Sequence, residues 1–290
     1  MSQCRLFVRI RKPEANYIQQ ALAVHGLDEE VPVALEAEGD GWWALSLYVD
    51  ADDVAGWKSR LRDAAGGDLF GLSLGEEMLD DRDWVSENQR ALSPVRAGRY
   101  VLHGSHDAER FSHHPFAITV DAGQAFGTGH HGTTAGCLDV IDTILRARRP
   151  PAVVDLGTGY GVLAIAVART ASARVLATDI DPISIVVARE NARLNGVAHR
   201  VDLAVADGFS HPVFRRFGQA DLMIANILAG PLVGLAPGVA RHVTAGGDLV
   251  LSGLMPHQAQ RVRAAYRGQG FTLVRRHDRD GWTTLHLRAA

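Results

Sequence analysis

Three glycines stand at alternate positions, Gly157, Gly159 and Gly161, directly after a short apolar run that contains Asp155. Glycine has no Cβ, so it lets the backbone turn sharply and approach a ligand closely. A second apolar run ends on Asp179, and a carboxylate at the tip of a strand can accept hydrogen bonds from both hydroxyls of a ribose. The pattern predicts a binding site for a nucleoside-containing cofactor.

The spacing of the glycines and the nearby carboxylate indicate which cofactor binds. Dinucleotide-binding enzymes carry G-x-G-x-x-G, whereas this chain has G-x-G-x-G. The charge of Asp155 is badly placed for a pyrophosphate and suits a cation such as S-adenosylmethionine, which carries a sulfonium and an ammonium group. The free N–H groups of the following helix can meet the methionine carboxylate. We interpret the motif as that of a class I methyltransferase; a nicotinamide enzyme and a tight turn without a ligand are the alternatives.

Asn226 follows the apolar run 221–225, and we expect it at the carboxyl end of a strand, facing the cofactor crevice. Its amide can accept a hydrogen bond from an amine and orient the amine's lone pair for an in-line displacement. A turn residue that merely ends a strand is the alternative. Ile227 and Leu228 come next, and neither can stack on a base as the aromatic residue of nucleic-acid methyltransferases does, so no nucleic-acid substrate is expected.

The elements that position these residues alternate between strand and helix over residues 116–290, which predicts a mostly parallel sheet with helices on both faces. A helix is expected to begin at Pro182 and to end at Asn195-Gly196. Asp280-Gly281 predicts a hairpin turn between two final strands. The predicted strands are 116–120, 152–156, 174–178, 201–205, 220–225, 248–251, 271–277 and 282–287.

Residues 1–91 predict a smaller α+β domain of ferredoxin-like type. The expected elements are strands at 5–10, 42–49 and 69–74 and helices at 14–25, from about 53 to 65, and at 83–91. Residues 92–115 contain prolines and glycines and predict a connector with one embedded strand, 100–103. The predicted domains are therefore 1–91, a connector over 92–115, and a cofactor domain over 116–290.

Composition narrows the class of protein. The 290 residues are 47% hydrophobic, enough for two domains with real cores. The two cysteines form no disulfide or metal pattern, and His130-His131 lacks a third ligand at metal spacing, so no metal site is expected. The start of the chain alternates like a strand and differs from a secretory signal, and no apolar run reaches the ~18 residues of a membrane span. We expect a soluble cytoplasmic protein.

The charge is divided unevenly along the chain. Residues 1–91 carry 18 acidic and 9 basic side chains, a net charge of −9, whereas residues 92–290 carry a net charge of +6. The acidic part predicts attraction of a basic partner. An ordinary solvated surface is the alternative.

Taken together, these motifs resemble those of the PrmA family, the methyltransferases of the large-subunit ribosomal protein L11. The resemblance covers residues 80–290 well, and the N-terminal part matches in size and pattern. One departure is that His130 and Gly132 replace a threonine and a proline of the common loop. The matching stretches are 125–134 (AFGTGHHGTT), 154–164, 178–196 (TDIDPISIVVARENARLNG), 226–235 (NILAGPLVGL) and 246–254 (GGDLVLSGL).

The resemblance implies methylation of lysine side chains and of the N-terminal amine of that ribosomal protein, with S-adenosylmethionine as donor. It implies that the N-terminal domain grips the substrate and that a flexible connector lets the catalytic domain reach several amines. The residues that it assigns to the cofactor, with Asp155 and Gly159 added from the glycine motif, are Phe126, Thr128, Thr134, Asp155, Gly157, Gly159, Asp179, Asp207 and Asn226.

The roles within this set differ. Asp179 would hold the ribose, Asp207 would reach the adenine amino group, and Phe126 and Thr128 would line the methionine end. Asn226 would also lie beside the incoming amine as the catalytic residue. Three other functions stay open: the same chemistry on another protein, the same chemistry on a small molecule, and a non-catalytic cofactor-binding assembly factor.

Overall fold

A computed structural model describes residues 3–11, 14, 18, 22, 25–27, 30–31, 33–64, 74–79, 94–120 and 131–290. The chain divides into two compact units, Met1–Asn88 and Gln89–Ala290. No helix among the described residues combines the length and apolar character needed to cross a membrane.

The first unit contains a four-stranded antiparallel sheet in the order β2-β3-β1-β4. Glu14, Ile18 and Leu22 are helical, and the last two are buried at the four-residue spacing of one helix face. The elements of this unit are β1 Gln3–Arg11, β2 Val33–Gly39, β3 Trp42–Asp50, α1 Val54–Ala64 and β4 Gly75–Leu79.

Strand β2 is an element that the sequence prediction did not name. It pairs with β3 through the two-residue turn Asp40-Gly41, in which both residues have positive φ, 49° and 78°. This is the geometry that Asp-Gly favours between antiparallel strands. The strands predicted at 5–10 and 42–49 are confirmed. The predicted helix 83–91, and the predicted strand 69–74 apart from Leu74, lie outside the described residues.

The second unit is built on a seven-stranded sheet in the order β10-β9-β8-β11-β12-β14-β13. The first five strands are parallel, and β14 runs antiparallel to both neighbours. The strands are β8 Ala152–Leu156, β9 Arg174–Asp179, β10 Val201–Val205, β11 Ala220–Asn226, β12 Val243–Leu254, β13 Phe271–Arg279 and β14 Trp282–Ala289. The predicted α/β sheet is confirmed.

Helices cover both faces of this sheet. Successive side chains of a strand point to opposite faces, and in these strands both sets are largely apolar. Val153, Ile224 and Val250 share one core with Leu138 and Ile165 of the helices. The opposite side chains of the strands share a second core with the other helices. The main helices are α3 His131–Ala147, α4 Val162–Thr170, α5 Pro182–Leu194, α6 Pro212–Phe217, α7 Ala229–His242 and α8 Ala259–Arg267, with the short α2 at Ala108–Phe111.

The segment expected to be a connector is part of this second unit. Strands β5 Val95–Ala97, β6 Tyr100–His103 and β7 Ala117–Thr119 form a small sheet. Tyr100 is 1% exposed, lies in the core shared by α3 and α4, and its hydroxyl lies 3.0 Å from Thr170 Oγ1. Burial of an aromatic side chain and its hydroxyl fixes this segment. Residues 94–115 therefore belong to the second unit.

The order of the strands locates a crevice. The chain passes outward from β8 through β9 to β10 and then returns to β11 on the other side of β8. In open α/β sheets, ligands bind at the carboxyl ends of the strands where the order reverses. The loops that follow β8, β9 and β11 meet at this point.

Candidate functional site

The glycine loop after β8 is tied to the neighbouring strand. The backbone N–H groups of Gly157 and Thr158 both donate to the carbonyl oxygen of Thr178, at 2.8 and 2.9 Å. The N–H of Gly159 donates to Asp179 Oδ2 at 2.8 Å. These bonds hold the loop and the end of β9 as one rigid edge of the crevice.

Two glycines of the loop serve different purposes. Gly157 has φ +70°, and a Cβ there would overlap the side chain of Ile227 after β11. Gly159 has φ +52°, and a Cβ there would meet no atom of the described residues within 4 Å. The first glycine therefore permits packing inside the protein, whereas the described residues leave the second free to approach a ligand.

Asp179 stands where the sequence predicted, at the end of β9. Its Oδ1 accepts a hydrogen bond from the N–H of Asp181 at 3.0 Å, and its Oδ2 accepts the bond from Gly159. Each carboxylate oxygen has two acceptor sites, so each can still accept one hydroxyl. Asp181 in turn caps helix α5, accepting from the N–H groups of Ile183 and Ser184.

Asp155 is 1% exposed beneath the loop. Its Oδ2 accepts from Thr158 Oγ1 at 2.6 Å and from the N–H of Ala164 at 3.1 Å, whereas its Oδ1 has no hydrogen-bond partner among the described residues. Burial raises the pKa of this carboxyl from 3.8 to about 6, and the two hydrogen bonds oppose the rise. A buried, half-satisfied carboxylate fits a cationic ligand nearby, which is the chemistry of S-adenosylmethionine.

Asn226 ends β11, and its Nδ2 faces the start of α3. The amide nitrogen lies 3.3 Å from Thr133 Oγ1 and 3.5 Å from Thr134 Oγ1. The structure therefore brings two of the predicted residues, Asn226 and Thr134, into contact although they are far apart in the chain. With the amide nitrogen engaged, the carbonyl oxygen Oδ1 can accept a hydrogen bond from an N–H donor.

The remaining predicted residues are distributed as follows. Asp207 is exposed after β10, and the N–H of the preceding Ala206 donates to the carbonyl of Asp179 at 2.8 Å, so Asp207 stands at the same edge as the ribose candidate. Phe126 and Thr128 lie outside the described residues. Across the part of the chain that the structure describes, no three His, Cys, Asp or Glu side chains gather as metal ligands.

Sequence reasoning missed several residues that support the site. Thr133, Ser252 and Thr284 are buried polar side chains near Asn226. A signal existed in the strands, because a polar residue interrupts an apolar run at Ser252. Their function depends on which strands are neighbours, and the sequence pattern does not supply that order.

The sequence matches the family model described as "Ribosomal protein L11 methyltransferase (PrmA)" over residues 25–290. The chain belongs to this family. The resemblance drawn from the motifs is confirmed, and it also extends into the acidic N-terminal unit, which the motifs matched only in pattern.

Individual relatives agree with the family model. The protein is 44% identical over 290 residues to a ribosomal protein L11 methyltransferase of Allorhizobium ampelinum, covering 99% of this chain and 100% of the relative. It is 45% identical over 292 residues to one of Brucella suis, with 99% and 100% covered. Among solved structures, it resembles a ribosomal protein L11 methylase from Lactobacillus delbrueckii subsp. bulgaricus, with a TM-score of 0.61, 27% identity, and 69% of this chain and 100% of that chain covered.

Proposed function

We propose that this protein methylates lysine side chains and the N-terminal amine of ribosomal protein L11, with S-adenosylmethionine as methyl donor. The observation that carries the proposal is the 44% identity over essentially the full length to a ribosomal protein L11 methyltransferase. The geometry agrees, because an amide that can accept from an amine lies at the edge where a nucleoside cofactor would bind.

The cofactor would be held by residues at the carboxyl ends of β8, β9, β10 and β11 and in the segment 126–134. Asp179 would accept from the ribose hydroxyls, the open side of Gly159 would face the ligand, and Asp155 would favour its positive charge. Thr134 would contact the cofactor beside Asn226, and Gly157 would allow the close packing of the glycine loop. Asp207 would reach the adenine amino group, and Phe126 and Thr128 would line the methionine end.

Asn226 is the proposed catalytic residue. When bound, S-adenosylmethionine supplies an electrophilic methyl carbon, whose bond to sulfur breaks with its electron pair left on sulfur as the amine nitrogen forms the new C–N bond. The Oδ1 of Asn226 would accept one N–H of the amine and thereby aim the nitrogen's lone pair. The amine must be neutral, and a lysine with an ordinary pKa of ~10.4 loses its proton more readily in a desolvated site beside a cation.

The N-terminal unit is the proposed substrate-binding domain. We propose a ferredoxin-like fold for it, supported by the antiparallel strand order, the helical residues 14, 18 and 22 after β1, and helix α1 after β3. Its net charge of −9 over residues 1–91 would attract a basic ribosomal protein. The proposed reaction takes place in the cytoplasm, where ribosomal proteins are made.

The test is mass spectrometry of purified ribosomal protein L11 after incubation with the enzyme and S-adenosylmethionine. We expect mass gains in steps of one methyl group, and fragmentation should place them on amines. Asn226→Ala should slow the gains far more than it weakens cofactor binding. Gln219→Ala, which removes an exposed amide at the other end of β11, should match the wild type. Calorimetric cofactor binding without any mass gain would exclude L11 as the substrate.

A further inference from the structure

A row of polar side chains crosses the sheet beside Asn226. Asn226 and Ser252 are paired positions on the neighbouring strands β11 and β12. Side chains alternate along a strand, so both lie on the face of Ile224 and Val250, which packs against α3. The row continues to Thr284 on β14.

Hydrogen bonds link this row to the amide of Asn226. Ser252 Oγ donates to the carbonyl oxygen of Thr133 at 3.4 Å. The Thr284 hydroxyl lies 2.9 Å from Ser252 Oγ, and either hydroxyl can be the donor there. Thr133 Oγ1 then accepts from Asn226 Nδ2 at 3.3 Å. The side chains of Thr133, Ser252 and Thr284 are at most 1% exposed.

The fold makes room for these hydroxyls at the expense of helix stability. Gly136 lies inside α3, where glycine is destabilising relative to alanine. A Cβ at Gly136 would come within 2.6 Å of Thr284 Oγ1. The thiol of Cys137 lies beside both Ser252 and Thr284 and stays neutral, because burial raises its pKa to about 12. Apolar side chains of similar size could fill the space beside Asn226 without needing hydrogen bonds. The presence of three hydroxyls there therefore calls for a reason beyond packing.

The direction of the hydrogen bonds supplies that reason. An asparagine amide can rotate to exchange its oxygen and nitrogen, and only the oxygen can accept from an amine. In the structure Nδ2 is the amide atom that faces the hydroxyls of Thr133 and Thr134, so Oδ1 is the atom left for the substrate. The Ser252 bond to the Thr133 carbonyl fixes the first turn of α3 that carries this hydroxyl.

We propose that Thr133, Ser252 and Thr284 are positioning residues, which hold the Asn226 amide with its oxygen toward the incoming amine. This inference rests on the proposed function, because it assumes that Asn226 accepts from an amine. It assigns these residues a role in turnover that acts through the Asn226 amide.

The test separates turnover from binding and from stability. Thr133→Val removes the acceptor at nearly constant volume, and we expect kcat to fall about tenfold or more, the scale of one lost hydrogen bond. The cofactor Kd should stay within about twofold, because this bond acts on the amide orientation. Thr133→Ser keeps the hydroxyl and should restore kcat. Thr143→Val is the matched control, since that hydroxyl bonds only the Asp139 carbonyl within α3 in the described contacts.

A double-mutant cycle identifies the route of the effect. If Thr133 acts through Asn226, Thr133→Val should change kcat little when Asn226→Ala is already present. Ser252→Ala should also lower kcat, by less than Thr133→Val does. This second variant keeps the inference testable if Thr133→Val does not fold.

A lower Tm with unchanged kcat, or additive losses in the cycle, would overturn the positioning role while leaving the proposed function intact. A wild-type enzyme that binds the cofactor and leaves L11 unmodified would overturn the proposed substrate and this inference with it.

Discussion

Asp155 and Asp179 stand beside the same glycine loop, yet their surroundings give them different properties. Asp155 is buried with one unsatisfied oxygen, whereas Asp179 is partly exposed and accepts a backbone N–H on each oxygen. Burial raises the pKa of the Asp155 carboxyl, whereas the partly exposed Asp179 keeps acceptor sites that suit the ribose role proposed for it.

Asp155 predicts a pH dependence of cofactor binding. Its folded pKa of about 6 exceeds its ordinary value of 3.8, so the folded state binds the extra proton between these values. Its contribution to the free energy of unfolding is then present at low pH and lost as pH rises through about 6. A cationic cofactor has the opposite preference, so its affinity should rise through this range. Calorimetry from pH 5 to 8 should show the rise in the wild type and a smaller one in Asp155→Asn; identical profiles would contradict it.

Asp179→Ala should remove most of the cofactor affinity. The variant loses the proposed acceptor of the ribose hydroxyls, and hydrogen bonds to a charged group contribute about 1.5–3 kcal/mol each. We expect the Kd to rise at least tenfold by calorimetry. Asp202→Ala removes the same charge from an exposed position on the neighbouring strand β10 and should leave the Kd unchanged. Equal affinities for both variants would exclude the ribose role.

At the scale of elements, helix α3 and the final hairpin meet at one point. Gly132 lies in the first turn of α3, and a Cβ there would stand 2.7 Å from Trp282 Cδ1 and 3.2 Å from Asp280 Cβ. The turn Asp280-Gly281 has φ values of 49° and 81° and connects β13 to β14, as its sequence predicted. The hairpin therefore rests on the start of the helix that carries Thr133 and Thr134.

This contact predicts an unusual outcome for Gly132→Ala. Replacing glycine in a helix normally stabilises by about 0.5–1 kcal/mol, but here the new methyl group overpacks against Trp282 and should cost about 1–3 kcal/mol. Urea unfolding should show the loss. Gly234→Ala in α7 is the control, because a Cβ there meets nothing within 4 Å among the described residues. A Trp282→Ala background should relieve the loss, and persistence of the full loss there would exclude the proposed overlap.

At the scale of the whole molecule, the excess of acidic side chains and the proposed cofactor site lie in different units. The described residues of the proposed cofactor site all lie in Gln89–Ala290, whereas the excess of acidic side chains lies in the N-terminal part. This division suits an enzyme that binds a small cofactor with one unit and a basic protein with the other.

Removal of residues 1–88 tests that division of labour. We expect the truncated protein to bind S-adenosylmethionine within about twofold of the full chain, since no proposed cofactor residue is lost. Methyl transfer to L11 should fall by at least ~100-fold, because the free energy of docking would no longer position the amines. Mass spectrometry and calorimetry measure the two quantities. L11 methylation at the wild-type rate would show that the N-terminal unit does not bind the substrate.

The sequence by itself determined the local elements and the residues at their ends. Apolar periodicity, Asp-Gly at 280–281 and the glycine spacing identified β8, β9, β11 and the final hairpin, and therefore placed Asp179 and Asn226 at strand ends. These are local properties, because a strand and the residue after it depend on a few neighbouring side chains. The same Asp-Gly signal at 40–41 would have revealed β2.

Only the tertiary structure decided which of these ends are neighbours. Pairing of β11 with β12 sets Asn226 beside Ser252, and the packing of α3 adds Thr133 from a distant part of the chain. It also showed that Gly157 makes room for Ile227, whereas a Cβ at Gly159 would meet none of the described residues within 4 Å. Contacts between remote residues follow from the order of strands and the packing of helices. The sequence pattern around a glycine does not show which distant side chains will lie against it.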